Sequence, residues 1–128
     1  MILVDTSVMI AYIRTGEPTL RALFALHDAA ICGVTRAEVL QGVRNPVNRP
    51  RMILALDAFR QISIPDGAWD AVGDLFALLR AAGLPTPWAD VVIASLAVQL
   101  DVELWARDQH YVAIQRLLPQ LRLFAEPP

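Results

Sequence analysis

Four acidic residues of the chain occupy one kind of position, although they are far apart in the sequence. They are Asp5, Glu38, Asp90 and Asp108. Each lies at or just inside the N-terminus of a predicted helix, and three of these helices closely follow an apolar strand. In an open parallel sheet the carboxyl ends of the strands lie on one side, where ligands bind. The pattern therefore predicts that the four carboxylates meet in one pocket.

Helix capping offers a second explanation for each acid, because acidic and hydroxyl side chains stabilise helix N-termini. Asp5 could cap the helix that follows the first strand, and the segment Thr35–Glu38 matches the capping-box pattern. Thr86 and Pro87 are typical of a helix start and place Asp90 in the first turn. Capping does not explain why four acids recur at equivalent places in so small a chain.

Carboxylates that lie close together need a compensating positive charge. All 11 basic residues are arginine and none is lysine, so a hard divalent cation, Mg²⁺ or Mn²⁺, is the natural counter-ion. The predicted ligands, directly or through water, are Asp5, Asp90 and Asp108. Glu38 would orient or deprotonate a water molecule that attacks a phosphodiester. Thr6 and Ser7 could donate hydrogen bonds to Asp5, although helix capping explains them equally well.

The elements that would position these acids alternate between short apolar strands and helices. Strands are predicted at Ile2–Val4, Ala30–Cys32, Gln61–Ile64 and Val102–Ala106, with an edge strand at Leu121–Phe124. Helical spacing of apolar residues marks the segments between them. We expect a single α/β domain over residues 1–128, with a central, mostly parallel sheet of four to five strands flanked by helices.

Composition limits the partners that the chain can have. Its net charge is −2 and its pI is near 5.6, so no overall basic field attracts nucleic acid. One local patch, Arg44, Arg49 and Arg51, is either a solvated charge run or an arm that contacts phosphate or a partner. The hydrophobic fraction of 55% favours an apolar patch covered by a partner or a second copy.

No apolar run has the roughly 18 residues that a membrane span needs. The N-terminus lacks a basic region and carries an acid inside its apolar run, unlike a signal peptide. We therefore expect a cytoplasmic protein that does not contact a membrane.

Taken together, the motifs resemble those of PIN-domain nucleases, specifically the VapC-type toxins of bacterial toxin–antitoxin pairs. The resemblance covers essentially the whole chain and rests on four segments, Ile2–Val8, Thr35–Gly42, Ala89–Ala94 and Asp108–Tyr111. It implies a Rossmann-like sheet sandwiched by helices and Mg²⁺- or Mn²⁺-dependent cleavage of RNA. It also implies a homodimer and a small VapB-like antitoxin that covers apolar grooves and blocks the acidic pocket. The arginine patch would then contact RNA or this antitoxin.

Two positions depart from the family's pattern. The family often has threonine two positions before the last acid, where this chain has Ala106, and phenylalanine where Tyr111 stands. The first change removes a possible contact to Asp108 and affects the fine geometry of that acid. His110 belongs to the family's local pattern, and we expect a surface or packing role for it rather than a chemical one.

Other folds that gather carboxylates around Mg²⁺ fit less well. A receiver-type signalling domain needs a lysine beside the pocket. A haloacid-dehalogenase-like phosphatase needs that lysine and also an acid where Ser7 stands. The remaining alternative is a non-catalytic protein-interaction module on a PIN-like fold, whose acids serve only as caps. Carboxylate-dependent binding of Mn²⁺ would distinguish the two readings.

Overall fold

A four-stranded, all-parallel sheet forms the centre of the chain and is flanked by seven α-helices. The computed structural model describes residues 1–128. The strands are β1 (Ile2–Val4), β2 (Ala29–Cys32), β3 (Arg60–Ile62) and β4 (Glu103–Trp105), in the spatial order β3-β2-β1-β4. The helices are α1 (Thr6–Thr15), α2 (Pro18–Leu26), α3 (Gly33–Gln41), α4 (Arg49–Asp57), α5 (Ala68–Ala81), α6 (Trp88–Leu100) and α7 (His110–Leu117). None of them has the length and hydrophobicity needed to traverse a bilayer.

The sheet is buried on both faces, because alternate residues of each strand point to opposite sides. Leu3 packs into a core formed with α5, α6 and α7, whereas Ile2 and Val4 belong to a second core formed with α1 to α4. No residue of β1 is more than 5% exposed. A continuous apolar run, rather than an alternating one, is what a parallel strand covered on both faces requires.

The register of the sheet sets the start of α1 next to the connection between β4 and α7. Val4 lies opposite Trp105 in the parallel ladder. The backbone N–H of Asp5 donates to the carbonyl of Trp105 at 2.8 Å, so the pairing continues one residue past β1. Asp5 therefore lies at the carboxyl edge of the sheet.

The segment Leu121–Phe124 does not form the predicted edge strand. It runs beside β4 but makes only one parallel bridge, between Leu104 and Leu123. The ring of Phe124 packs against Trp105 with 4.6 Å between the ring centroids. Besides this aromatic contact, two backbone hydrogen bonds hold the segment: the N–H of Leu104 donates to the carbonyl of Arg122, and the N–H of Phe124 donates to the carbonyl of Leu104, both at 2.8 Å.

Two predicted helix starts are displaced in the structure. Helix α3 begins at Gly33, so Thr35 lies inside the helix and the capping-box prediction is wrong. The hydroxyl of Thr35 instead donates to the carbonyl of Val4 at 3.4 Å, a long-range contact that joins α3 to β1. In α6 the cap position is held by Pro87 rather than by Thr86, and no side chain caps that end.

Candidate metal centre

Asp5 is held in one orientation by hydrogen bonds to both of its carboxylate oxygens. It caps α1 and is only 2% exposed. Oδ2 accepts hydrogen bonds from the backbone N–H of Ser7 at 3.0 Å and from its hydroxyl at 2.6 Å. Oδ1 accepts a hydrogen bond from the hydroxyl of Tyr111 at 2.6 Å. A buried carboxylate with this many donors is fixed in position before any ligand arrives.

Asp90 lies in the first turn of α6 and is 8% exposed. Its Oδ2 is 2.8 Å from Nδ1 of His110, and its Oδ1 is 3.4 Å from the hydroxyl of Tyr111. Burial raises the pKa of Asp90 above its usual range; the hydrogen bond from His110 opposes this shift, and the charges of Asp5 and Asp108 reinforce it. Tyr111 therefore bridges Asp5 and Asp90, which would otherwise repel each other.

Asp108 lies in the connection between β4 and α7 and is half-buried. Its Oδ1 accepts a hydrogen bond from the backbone N–H of His110 at 2.9 Å, which satisfies one free donor at the start of α7. The same oxygen is 3.0 Å from Nδ1 of His110. The possible ligand atoms of Asp90, Asp108 and His110 all lie within 4.8 Å of one another. The hydrogen bond to Asp90 raises the pKa of His110, and the neighbouring carboxylates add to this effect.

Glu38 reaches the site from α3 through a single polar contact. The hydroxyl of Thr6 donates to its Oε1 at 2.5 Å. Thr6 is 8% exposed and is the first residue of α1, directly after Asp5. Of the two hydroxyl residues that the sequence placed beside Asp5, Ser7 donates to Asp5 and Thr6 donates to Glu38.

Asp5, Asp90 and Asp108 belong to one cluster, connected through Tyr111 and His110. Glu38 lies beside this cluster: its polar contact is with Thr6, the residue after Asp5, and neither Glu38 nor Asp5 is among the residues whose possible ligand atoms all lie within 4.8 Å of one another. The carboxylate oxygens of the cluster suit a hard divalent cation such as Mg²⁺ or Mn²⁺. The raised pKa of Asp90 fits this reading, because a cation would offset the cost of ionising a buried acid.

Sequence reasoning missed two polar residues of this cluster. His110 lies between two carboxylates, although we expected only a surface or packing role for it. Tyr111 is fully buried, and its aromatic ring reads as one more apolar position of an amphipathic helix. The closeness of both residues to Asp108 in the sequence was a weak signal of involvement in the site. The contact of Tyr111 with Asp5, which is 106 positions away in the chain, left no local signal.

Arg107 fixes the connection that carries Asp108. Its backbone N–H donates to the hydroxyl of Ser7 at 3.0 Å. Its guanidinium contacts both carboxylate oxygens of Glu17 at 2.8 and 2.9 Å, and both of Glu126 at 2.9 Å. The hydrogen bonds from Arg107 lower the pKa of both glutamates. This arrangement ties the β4–α7 connection to the C-terminal segment and to the start of α2.

The three arginines of the sequence-predicted patch are not equivalent in the structure. Arg44 lies in the connection between α3 and α4 and lines a groove together with Glu38. Arg49 and Arg51 lie in the first turn of α4 and do not line that groove. All three side chains are exposed.

A family model of the PIN domain matches residues 2–117. A comparison with curated protein sequences gives no match. Among solved structures, the chain is similar to a structure of VapBC2 from Rickettsia felis, bound to a DNA fragment from the VapBC2 promoter. The TM-score is 0.82 and the identity is 22%, over 97% of this chain and 98% of that chain. The chain is also similar to DNA-bound VapBC from Salmonella typhimurium, with a TM-score of 0.82 and 19% identity over 96% of each chain. Mycobacterium tuberculosis VapC20, a Sarcin-Ricin loop cleaving toxin, shares the fold at a TM-score of 0.67 and 15% identity, over 88% of this chain and 94% of that chain.

Proposed function

This chain belongs to the PIN-domain family, and we propose that it is a Mg²⁺- or Mn²⁺-dependent endoribonuclease, the toxin of a toxin–antitoxin pair. The observation that carries the proposal is the cluster of Asp5, Asp90 and Asp108 around Tyr111 and His110, with Glu38 held beside it by Thr6. Residues 1–128 would act as one PIN domain. The likeness to VapC20 supports the nuclease assignment, because that toxin cleaves the Sarcin-Ricin loop.

Asp5, Asp90 and Asp108 would hold the cation. When bound, it would lower the pKa of an attacking water and stabilise negative charge on the phosphoryl oxygens. Ser7 and Tyr111 hold Asp5 rigid, so that this carboxylate needs little reorganisation to bind the ion.

Glu38 would orient the attacking water and accept its proton. Thr6 occupies Oε1 of Glu38 by donating a hydrogen bond to it. Oε2 is therefore the oxygen available to a water molecule. A positioned general base of this kind contributes roughly 100-fold to 10,000-fold to a rate.

The proposed partners are an RNA substrate, a small VapB-like antitoxin and a second copy of this chain. The likeness to VapBC chains from two species supports the antitoxin. Exposed apolar side chains, among them Trp69 and Trp88 with stacked rings 5.9 Å apart, offer surface for a protein contact.

The proposal predicts a different defect for the metal ligands than for the base. Asp5→Asn and Asp90→Asn should fold but lose both Mn²⁺ binding and RNA cleavage, because the amide lacks the ligand's charge while still serving at a helix N-terminus. Glu38→Gln should keep most Mn²⁺ affinity and lose about 100-fold or more in cleavage rate. Calorimetric Mn²⁺ titration and cleavage of total RNA measure the two effects.

Asp70→Asn and Asp74→Asn provide matched controls, because both acids are exposed on α5. They should cleave and bind Mn²⁺ as the native chain does. Cleavage retained by a clean preparation of Asp90→Asn would refute the assignment. An absence of carboxylate-dependent Mn²⁺ binding would instead support the alternative of a non-catalytic interaction module on this fold.

A further inference from the structure

A groove of about 640 Å³ is lined by Glu38 but by none of the other three acids. Its lining comes from α1, α3, the connection between α3 and α4, and α4. Two arginines line it, Arg14 from the last turn of α1 and Arg44 from the connection. Both are exposed, and the ion pairs of the structure involve neither. The groove therefore offers two uncommitted positive charges beside a proposed catalytic acid.

The remaining polar lining consists of side-chain amides, which can donate and accept hydrogen bonds. These are Gln41, Asn45 and Asn48. Asn45 uses its carbonyl oxygen to accept from the backbone N–H of Val47 at 3.1 Å, which leaves its NH₂ group free to donate. Apolar side chains of Ile10, Ile13 and Met52 also line the groove. Cations, amides and apolar surface together match the phosphates, base edges and base faces of a nucleic-acid strand.

We propose that this groove binds the single-stranded RNA segment next to the scissile phosphate, with Arg14 and Arg44 on its phosphates. This inference rests on the proposed nuclease function and identifies the groove as the surface that binds the RNA substrate. A chain of net charge −2 with four clustered acids repels RNA, so binding needs local positive charge beside the cluster. Arg14 and Arg44 supply that charge.

Arg14 and Arg44 are the two arginines that line the groove containing Glu38, whereas Arg21, Arg49, Arg51 and Arg116 are also outside the ion pairs but do not line it. Arg36, Arg60, Arg107 and Arg122 are committed to ion pairs. Arg80 lines a separate groove that contains none of the four acids. Charge also favours RNA over a cationic peptide, because Arg14 and Arg44 would repel such a peptide.

The test compares Arg14→Gln/Arg44→Gln with the native chain. A short fluorescein-labelled single-stranded RNA is titrated with each protein in buffer containing Ca²⁺, which binds carboxylate oxygens in place of Mg²⁺ or Mn²⁺. A gel checks that the RNA stays intact during the titration. The double variant should bind about tenfold more weakly. The slope of log K against log salt concentration should become shallower by about 1.4, since each phosphate contact on a single strand contributes about 0.7.

Arg80→Gln/Arg116→Gln is the matched control, because both arginines are exposed, lie outside the groove and take no part in the ion pairs. It should bind RNA with the native affinity and slope. If Arg14→Gln/Arg44→Gln binds RNA with the native affinity, the proposal is wrong and a protein partner becomes the better candidate for this groove. An equal loss in the control would overturn it as well, since the binding would then be diffuse.

These outcomes are separable from the fate of the nuclease assignment. If the native chain cleaves RNA with Mn²⁺ while Arg14→Gln/Arg44→Gln binds RNA normally, the nuclease proposal holds and the groove proposal is wrong. If the chain binds RNA through these arginines but cleaves no RNA, the groove proposal holds and the nuclease proposal is wrong.

Discussion

At the residue scale, the hydroxyl of Tyr111 lies between the carboxylates of Asp5 and Asp90 and reduces their mutual repulsion. It is 2.6 Å from one carboxylate and 3.4 Å from the other. Burial raises the pKa of Tyr111 far above its usual range, and the two carboxylates raise it further. The phenol therefore stays protonated and acts only as a hydrogen-bond donor. It supplies part of the compensation that a cation would otherwise provide.

Tyr111→Phe should lower the free energy of unfolding of the metal-free protein by about 1–3 kcal/mol, because a buried acceptor on Asp5 loses its donor. Chemical denaturation in EDTA measures the change. Tyr12→Phe is the control, since Tyr12 packs edge-on against Phe24 and Phe59 and donates to no carboxylate. Equal stabilities of the two variants would show that the Tyr111 hydroxyl does not compensate Asp5.

At the scale of elements, the β4–α7 connection is positioned by Arg107, the residue before Asp108. Arg107 links this connection to Glu17 and Glu126 and, through its backbone, to Ser7. Glu126 also accepts a hydrogen bond from the indole N–H of Trp105 at 3.2 Å. The C-terminal segment thereby holds two residues that precede Asp108, one of which donates to the hydroxyl that orients Asp5.

Glu126→Gln should weaken Mn²⁺ binding by up to about tenfold, because it loosens the support of two ligands without removing either. Its cost in unfolding free energy should stay below about 1 kcal/mol, since the ion pair is partly exposed. Glu103→Gln is the control, because Glu103 takes part in none of the ion pairs. If both variants bind Mn²⁺ equally, Glu126 does not position the site.

The stability difference between native and Glu126→Gln should depend on pH in a fixed direction. The hydrogen bond from Arg107 lowers the pKa of Glu126 in the folded state. Its stabilising contribution is therefore complete above the unfolded value, roughly 4.3, and disappears as the pH falls through the folded value. Denaturation curves across this range measure the effect.

For the whole molecule, parallel topology gathers negative charge at one edge of the sheet. The β3-β2-β1-β4 order places β1 between β2 and β4, so Asp5, which follows β1, lies between the segment after β2, which carries Glu38, and the segment after β4, which carries Asp108. Their mutual repulsion opposes folding. A cation that binds only the folded arrangement should therefore stabilise the entire chain.

Mn²⁺ at about 100 times its dissociation constant should raise the free energy of unfolding by about 2.7 kcal/mol, which corresponds to a rise in Tm of about 5–10 °C. EDTA should reverse the shift. Asp90→Asn should show little shift, whereas Asp74→Asn should respond as the native chain does. A native chain whose Tm ignores Mn²⁺ would contradict a metal site at this edge of the sheet.

The sequence by itself determined the architecture, whereas the shared metal site of the four acids stays a prediction. The runs around Leu3, Ile31 and Leu104 predict buried parallel strands, and the structure confirms an α/β fold with such a sheet. A parallel sheet has only one carboxyl edge, so strand–helix junctions far apart in the chain converge without any detailed knowledge of side-chain contacts.

Only the tertiary structure decided which side chains touch. The Tyr111 hydroxyl bridges two acids, Thr6 donates to Glu38, and Thr35 donates to Val4 instead of capping its helix. Local patterns encode periodicity and capping preference within a few residues. These contacts join residues 31 to 106 positions apart and depend on how the helices pack on the sheet, because a hydroxyl group donates to whichever acceptor that packing places beside it.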